Sequence, residues 1–191
     1  MSGTAGPTFT VATPADTARV LGVLDEAAAW LAGRGIEQWP PRFAPEWFAG
    51  RIARGETWLV SRRDDVLGTV TLDFADPLWA DSPARAAYVH SLAVRRSAAG
   101  LGAHILDWAA ATARARGLDA LRLDCVRSNA RLRAYYEGRG FAHSGDVPVR
   151  AAPGGRTDEG PVTWMSRYAL HLAPPPTPSA PARGPAHRAS R

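Results

Sequence analysis

The sequence predicts an α/β protein of the α+β kind, with a mixed, mostly antiparallel central sheet flanked by helices. Three observations carry this. Strand-like runs outnumber helical ones, a strand–helix–strand alternation occupies the middle of the chain, and hairpin-like strand pairs lie on either side of it.

Thr8–Thr13 reads as a first strand, and Pro14-Ala15-Asp16 as a helix entrance with Asp16 as N-cap. Val20, Leu21, Val23, Leu24, Ala27, Ala28 and Leu31 then recur at helical spacing until Gly33 and Gly35 stop the run. After a loop through Trp39-Pro40-Pro41, Pro45–Arg54 forms a second helix with Trp47, Phe48 and Ile52 on its apolar side. Thr57–Ser61 and Val66–Phe74 suit a hairpin about Arg63-Asp64-Asp65, followed by a loop over Asp76–Arg85. Tyr88–Val94 is a buried strand and Gly102–Arg116 a helix whose stripe is Ile105, Leu106, Trp108, Ala109 and Ala113, with Gly117 past its end. Leu121, Leu123 and Cys125 alternate with Arg122 and Asp124 as the next strand. Ser128 or Asn129 caps a short helix through Arg139, and Phe141–Val149 with Val162–Leu172 form a closing hairpin.

The segment Val89–Ala103 carries the chemistry. A strand runs through a small-residue loop straight into a helix, whose first N–H groups and dipole converge on one point and suit a phosphate or pyrophosphate. Gly100 and Gly102 let the backbone approach such an anion without a Cβ between them. A plain strand–helix turn is the ligand-free alternative. No Lys-Ser or Lys-Thr follows the second glycine, so a Walker loop is excluded; the chain has no lysine. A dinucleotide loop wants a third glycine where Ile105 sits, although Asp124 is placed as its ribose-binding acid.

A chain of 191 residues with a net charge of +5 carried by arginine alone fits one ordinary globular domain. The arginines are scattered, which argues against nucleic acid, while the positive balance favours a polyanionic ligand. A single cysteine excludes an internal disulfide and a cysteine-based zinc site. With no signal peptide or apolar span legible, no membrane association and a cytoplasmic location are expected. Residues 1–7 are expected to be a flexible N-terminus, 8–172 the folded domain, and 173–191 a disordered tail rich in Pro, Ala and Arg.

Two segments then occur in order. Leu92-Ala93-Val94 is followed by Gly100-Leu101-Gly102-Ala103, and after another strand comes Asn129-Ala130-Arg131-Leu132-Arg133-Ala134-Tyr135-Tyr136-Glu137-Gly138-Arg139-Gly140-Phe141. The pairing resembles the GCN5-related N-acetyltransferase (GNAT) superfamily, over Tyr88–Phe141 above all. The resemblance implies an acyl-CoA N-acyltransferase-like fold and acetyl-CoA as co-substrate, with no metal. Its pyrophosphate would lie on Ala99, Gly100, Leu101, Gly102 and Ala103, and its pantetheine arm would pair with Leu92, Ala93 and Val94 like an added strand. Arg95 and Arg96 are candidate phosphate partners; solvated arginines following a strand are the plain alternative. The family loop usually carries Arg or Gln three residues before its first glycine; here that residue is Ser97, and Arg96 is the alternative.

Acyl transfer to an amine needs a neutral amine, a polarised thioester carbonyl and a proton for the departing thiolate. A thiol titrates near about 8.5 and a phenol near about 10, so a tyrosine can protonate the thiolate. The resemblance maps that role to Tyr136, which otherwise is the packed face of its helix; Tyr135 is assigned to the core. His90 is the candidate base, directly or through water, or else a hydrogen-bonded sheet histidine. Asn129 binds the cofactor, caps its helix, or both. Cys125 falls in the apolar phase of its strand and reads as a core thiol. His104, His143 and the carboxylates show no metal-ligand spacing. Trp39, Trp58 and Trp79 are candidates for an acceptor pocket, with Glu37, Asp73 and Asp76 attracting a cationic amine; core and loop anchoring is their other reading.

The expected function is N-acetyl transfer from acetyl-CoA to a small-molecule or peptide amine, with a homodimer allowed. The alternatives are a non-catalytic acyl-CoA-binding module of the same fold and a nucleotide-dependent oxidoreductase.

Overall fold

The computed structural model describes residues 6–152, 155–156 and 160–172; the predicted tail lies outside the described residues. Its elements are β1 (Thr8–Val11), α1 (Thr17–Ala32), α2 (Glu46–Ala53), β2 (Thr57–Arg62), β3 (Asp65–Asp73), β4 (Ala86–Val94), α3 (Leu101–Ala115), β5 (Ala120–Val126), α4 (Ala130–Gly138), β6 (Ala142–Ala152), β7 (Gly155–Arg156) and β8 (Val162–His171). The strands form one sheet in the order β1-β2-β3-β4-β5-β8-β6-β7. Among the described residues only β4 and β5 pair in parallel, as their connection through α3 allows; the other pairings are antiparallel. The mixed, mostly antiparallel sheet expected from the sequence is therefore present, flanked by four helices.

Helix starts follow local chemistry. Asp16 stands at the N-cap of α1 as expected, but its side chain makes no cap hydrogen bond into that helix and turns back to Thr13. The Asp16 carboxylate accepts from the Thr13 N–H at 3.0 Å and from its hydroxyl at 2.8 Å, the reciprocal half of a capping box. These bonds, with Arg19, hold the Asp16 carboxyl below its ordinary value. At α4 the Asn129 Oδ1 accepts from the Leu132 N–H at 3.1 Å, an ordinary N-cap.

The two faces of the sheet are filled separately. Val20, Val23 and Leu24 of α1 bury with Phe48, Ile52, Leu59 and Ala93 on one side. On the other, Leu101, Ile105, Leu106, Ala109 and Ala113 of α3 bury with Val70, Leu72, Val89, Leu121 and Leu123, and with Tyr136 of α4. Trp108 lies at the margin, stacked on Phe9 at 4.5 Å and edge-on to Trp58 at 4.9 Å. Each large aliphatic buried in this way contributes about 1.5–3 kcal/mol, so the predicted helical stripes hold the layers together.

Two departures from regular pairing position the site. Ser91 has φ of 48°, and the β3–β4 register slips there, with Thr69 opposite Ala93 but Thr71 opposite His90. One extra residue on β4 is a β-bulge, which bends the strand. Moreover, β4 pairs with β5 only from Ala86↔Ala120 to Val89↔Leu123. Beyond that point β4 stays with β3 and β5 stays with β8, so the two strands part and leave a cleft in the sheet.

Candidate active site

The cleft has a volume of about 260 Å³ and lies where β4 and β5 separate. Its walls include His90, Ser91 and Leu92 of β4, Asp124 and Cys125 of β5, and Tyr136 of α4. A larger depression of about 490 Å³ lies near Arg95 and Ser97, among Arg19 and Asp64–Leu67, and carries none of the candidate acid or base groups.

The glycine loop connects the cleft to α3. Arg96–Ala98 form a single 3-10 turn, and Gly100 stands before α3 with φ of 88°. That left-handed conformation is open to glycine and costly for other residues, and a Cβ there would project into open space. At Gly102 a Cβ would come within 3.5 Å of the Tyr135 hydroxyl and 3.9 Å of Val94. An α-helix provides no acceptors for its own first N–H groups, so those of Leu101 and Gly102 are available at this open end. Ala103 turns back onto the Gly100 carbonyl at 3.1 Å.

Arg95 and Arg96 both contact α1 in this structure. Arg95 pairs with Glu26 of α1 and donates through Nε to the Val66 carbonyl at 2.9 Å. The Arg96 N–H donates to Glu26 at 3.0 Å, and its guanidinium lies 4.3 Å from the centre of the Trp30 ring. Together they tie the loop to α1, a role the sequence did not disclose.

The two tyrosines divide otherwise than expected. Tyr135, assigned to the core from sequence, is 39% exposed. Tyr136 is 8% exposed, packed against Phe141 and Tyr168, and yet reaches the cleft wall. Burial above all, then Cys125 and Asp124, raises the Tyr136 phenol well above the ordinary tyrosine value. Cys125 is buried as expected, and burial followed by the Asp124 charge pushes its thiol up to about 12.

His90 lies between carboxylates, its Nε2 3.2 Å from Asp73 Oδ1 and 3.7 Å from Asp76 Oδ2. Asp76, His90 and Asp124 each bring a ligand-type atom within 4.8 Å of the others, a grouping drawn from two strands and one loop that no sequence spacing displays. His104 and His143 are not part of it. Of the three candidate tryptophans only Trp39 lines the cleft. Trp79 is buried among Ala86, Tyr88, Ala120 and Ala169, with Arg122 and Arg167 stacked 4.3 and 5.0 Å from its ring centre. Trp58 belongs to the α3 side. Glu37 is exposed and is not among the cleft-lining residues.

The Trp39 loop is fixed across the cleft by a contact invisible in sequence. Asn129 Nδ2 donates to Gln38 Oε1 at 2.7 Å, joining the cap of α4 to the connection between α1 and α2. The Phe43 N–H donates to Asp25 at 2.9 Å and anchors the far side of the same loop.

The acetyltransferase (GNAT) family profile matches residues 24–141, which spans the cleft, the glycine loop and α4. The chain belongs to the GNAT family. It is 31% identical to the uncharacterized N-acetyltransferase YesJ of Bacillus subtilis, over 68% of this chain and 78% of that one. In fold it is similar to a GNAT-family acetyltransferase of Listeria monocytogenes, with a TM-score of 0.69 and 22% identity over 90% of this chain and 98% of that one. The yncA protein of Salmonella typhimurium, solved with its cofactor acetyl-CoA, gives a TM-score of 0.60 and 16% identity over 92% and 99%.

As a GNAT protein the chain is an acyltransferase, which replaces the oxidoreductase and non-catalytic alternatives. The family uses acetyl-CoA, and the residues present suit it: a strand edge left unpaired on β4, helix N–H groups at an open glycine turn, and a cleft between them. Among the described residues, no helix is long and apolar enough to cross a membrane.

Proposed function

We propose that this GNAT protein transfers acetyl from acetyl-CoA directly to an amine within the β4–β5 cleft, using Tyr136 as acid and His90 as base. Acetyl-CoA supplies the activated acyl group as a thioester. The amine nitrogen bonds to the acetyl carbon, the carbon–sulfur bond breaks, the amine proton passes to His90 directly or through water, and the Tyr136 phenol protonates the leaving thiolate. The β4 edge at Leu92–Val94 holds the pantetheine arm. The N–H groups from Ala99 to Gly102 hold the diphosphate at the N-terminus of α3, beside Ala103, where helix dipole and donors act together.

Tyr136 carries this reading: a buried phenol, kept protonated by its surroundings, on the wall of the cleft that also holds His90 and Asp124. The Tyr168 hydroxyl donates to Glu137 at 2.9 Å and accepts from Arg133 at 3.0 Å, bracing α4 on both sides of Tyr136. Loss of a positioned acid typically costs about 10²–10⁴ in rate. Tyr136→Phe should therefore lose turnover by at least about a hundredfold while binding acetyl-CoA with wild-type affinity in calorimetry. Unchanged turnover removes Tyr136 as the acid. For the base, His90→Gln should reshape the pH–rate profile, and an unaltered profile dismisses it.

A further inference from the structure

The acceptor is the least specified part of that reading, and the inference below rests on it. The cleft wall carries charges of both signs. Asp124 and His90 lie beside Tyr136, where the acetyl group would be delivered, and Arg51 of α2 lines the same cleft. Asp73 and Asp76 back His90 without lining the cleft, their side chains being 11% and 3% exposed.

Arg51 is not consumed by its neighbours. Its Nε stands 3.7 Å from Asp73 Oδ2, and its side chain is 35% exposed. Beyond that approach, no hydrogen bond of its guanidinium is found among the described residues. A guanidinium presents five N–H donors in a planar fork, so most of them remain for a ligand. The fork matches a carboxylate or phosphate, which it binds through two parallel hydrogen bonds.

We propose that the acceptor is a small amine that also bears an anionic group, of the amino-acid class, with its nitrogen at Asp124 and His90 and its anion on Arg51. An ammonium group is attracted to Asp124 while it waits to lose its proton. A diamine would instead bring its second cation against Arg51, where like charges repel and neither is satisfied. A cleft of about 260 Å³ also suits a small molecule better than a folded protein surface.

The test is steady-state acetylation by the full chain with acetyl-CoA, using the twenty amino acids, their α-amides, and the diamines putrescine and cadaverine. At least one amino acid should be acetylated with kcat/KM tenfold or more above its amide, and the diamines should fall below it. Arg51→Gln should collapse that acid-to-amide ratio toward one through KM, and Arg51→Lys should restore part of it. Amides or diamines serving as well as the acids would overturn the inference while leaving acetyl transfer intact. So would an Arg51→Gln variant that melts like the wild type but depresses every acceptor equally, which marks a merely structural arginine. If acetyl-CoA binds and no amine of any class is acetylated, the transfer reading fails and this inference falls with it.

Discussion

Replacing Gly100 with alanine separates backbone strain from ligand binding, because Gly35 offers a matched control. Both glycines have positive φ, 88° and 69°, and at both an added Cβ would meet nothing within 4 Å. Alanine should therefore cost each about the same, about 1–2 kcal/mol for a left-handed residue. In a domain of this size, about 2–4 °C of melting temperature is lost per kcal/mol, so each variant should melt about 2–8 °C lower. Only Gly100 borders the N-terminus of α3. A methyl group there that pushes one charge-assisted hydrogen bond out of reach costs a further 1.5–3 kcal/mol, or about ten- to hundredfold in affinity. Calorimetric titration with acetyl-CoA reads this directly, alongside a melting curve for each variant. Gly100→Ala should bind at least tenfold more weakly, and Gly35→Ala like the wild type. Equal affinity in both variants, with equal loss of melting temperature, would show that the loop grips nothing and would refute the diphosphate assignment.

Other outcomes follow from the buried and paired groups. Since burial raises the Tyr136 phenol, kcat should show no alkaline loss with a midpoint below about 10; a lower midpoint would mean that the acid is another group. Cys125 should resist a thiol reagent at pH 8 in the native protein and react once guanidinium exposes it; prompt native labelling would contradict its burial. The Asp146 carboxyl is held below its ordinary value by hydrogen bonds from Ser166 and His143. A depressed acid stabilises the fold above its unfolded value and loses that contribution as pH falls through the folded one, so melting temperature should drop below about pH 4. Asp146→Asn should flatten part of that drop; parallel curves would show that the pairing is energetically idle.

Much of this arrangement was legible in the residues because it rests on local rules. The α1 and α3 stripes, the stop at Gly117 and the strand over Leu121–Cys125 follow from period and glycine chemistry, and the structure places them within a few residues. The glycine turn before α3 was readable because Gly100 takes a left-handed φ that glycine adopts readily. What escaped were features decided between distant segments. Ser91 adopts φ of 48° because β4 must bulge against β3, and nothing in Val89-His90-Ser91-Leu92 announces it. The contacts of Arg95 with Glu26 and of Arg96 with Trp30 escaped too, because a sequence cannot show what waits on α1. Tyr135 and Tyr136 are adjacent on a helix, so which one is buried depends on Tyr168, supplied by the last strand. Between its pocket and anchoring readings Trp79 stayed open for the same reason: its arginine partners, Arg122 and Arg167, come from β5 and β8.

That last strand has a consequence for how the molecule is built. β8 is the last of the described strands in sequence, yet it sits between β5 and β6. Until residues 162–171 insert, β5 offers a bare edge and Tyr168 cannot support α4. The protein is thus assembled like an arch whose keystone is laid late: a nascent or clipped chain stopping short of that segment would have an open, adhesive sheet and an α4 without its Tyr168 brace. Such non-local closure is slow, so activity should emerge in a single late step rather than growing with chain length.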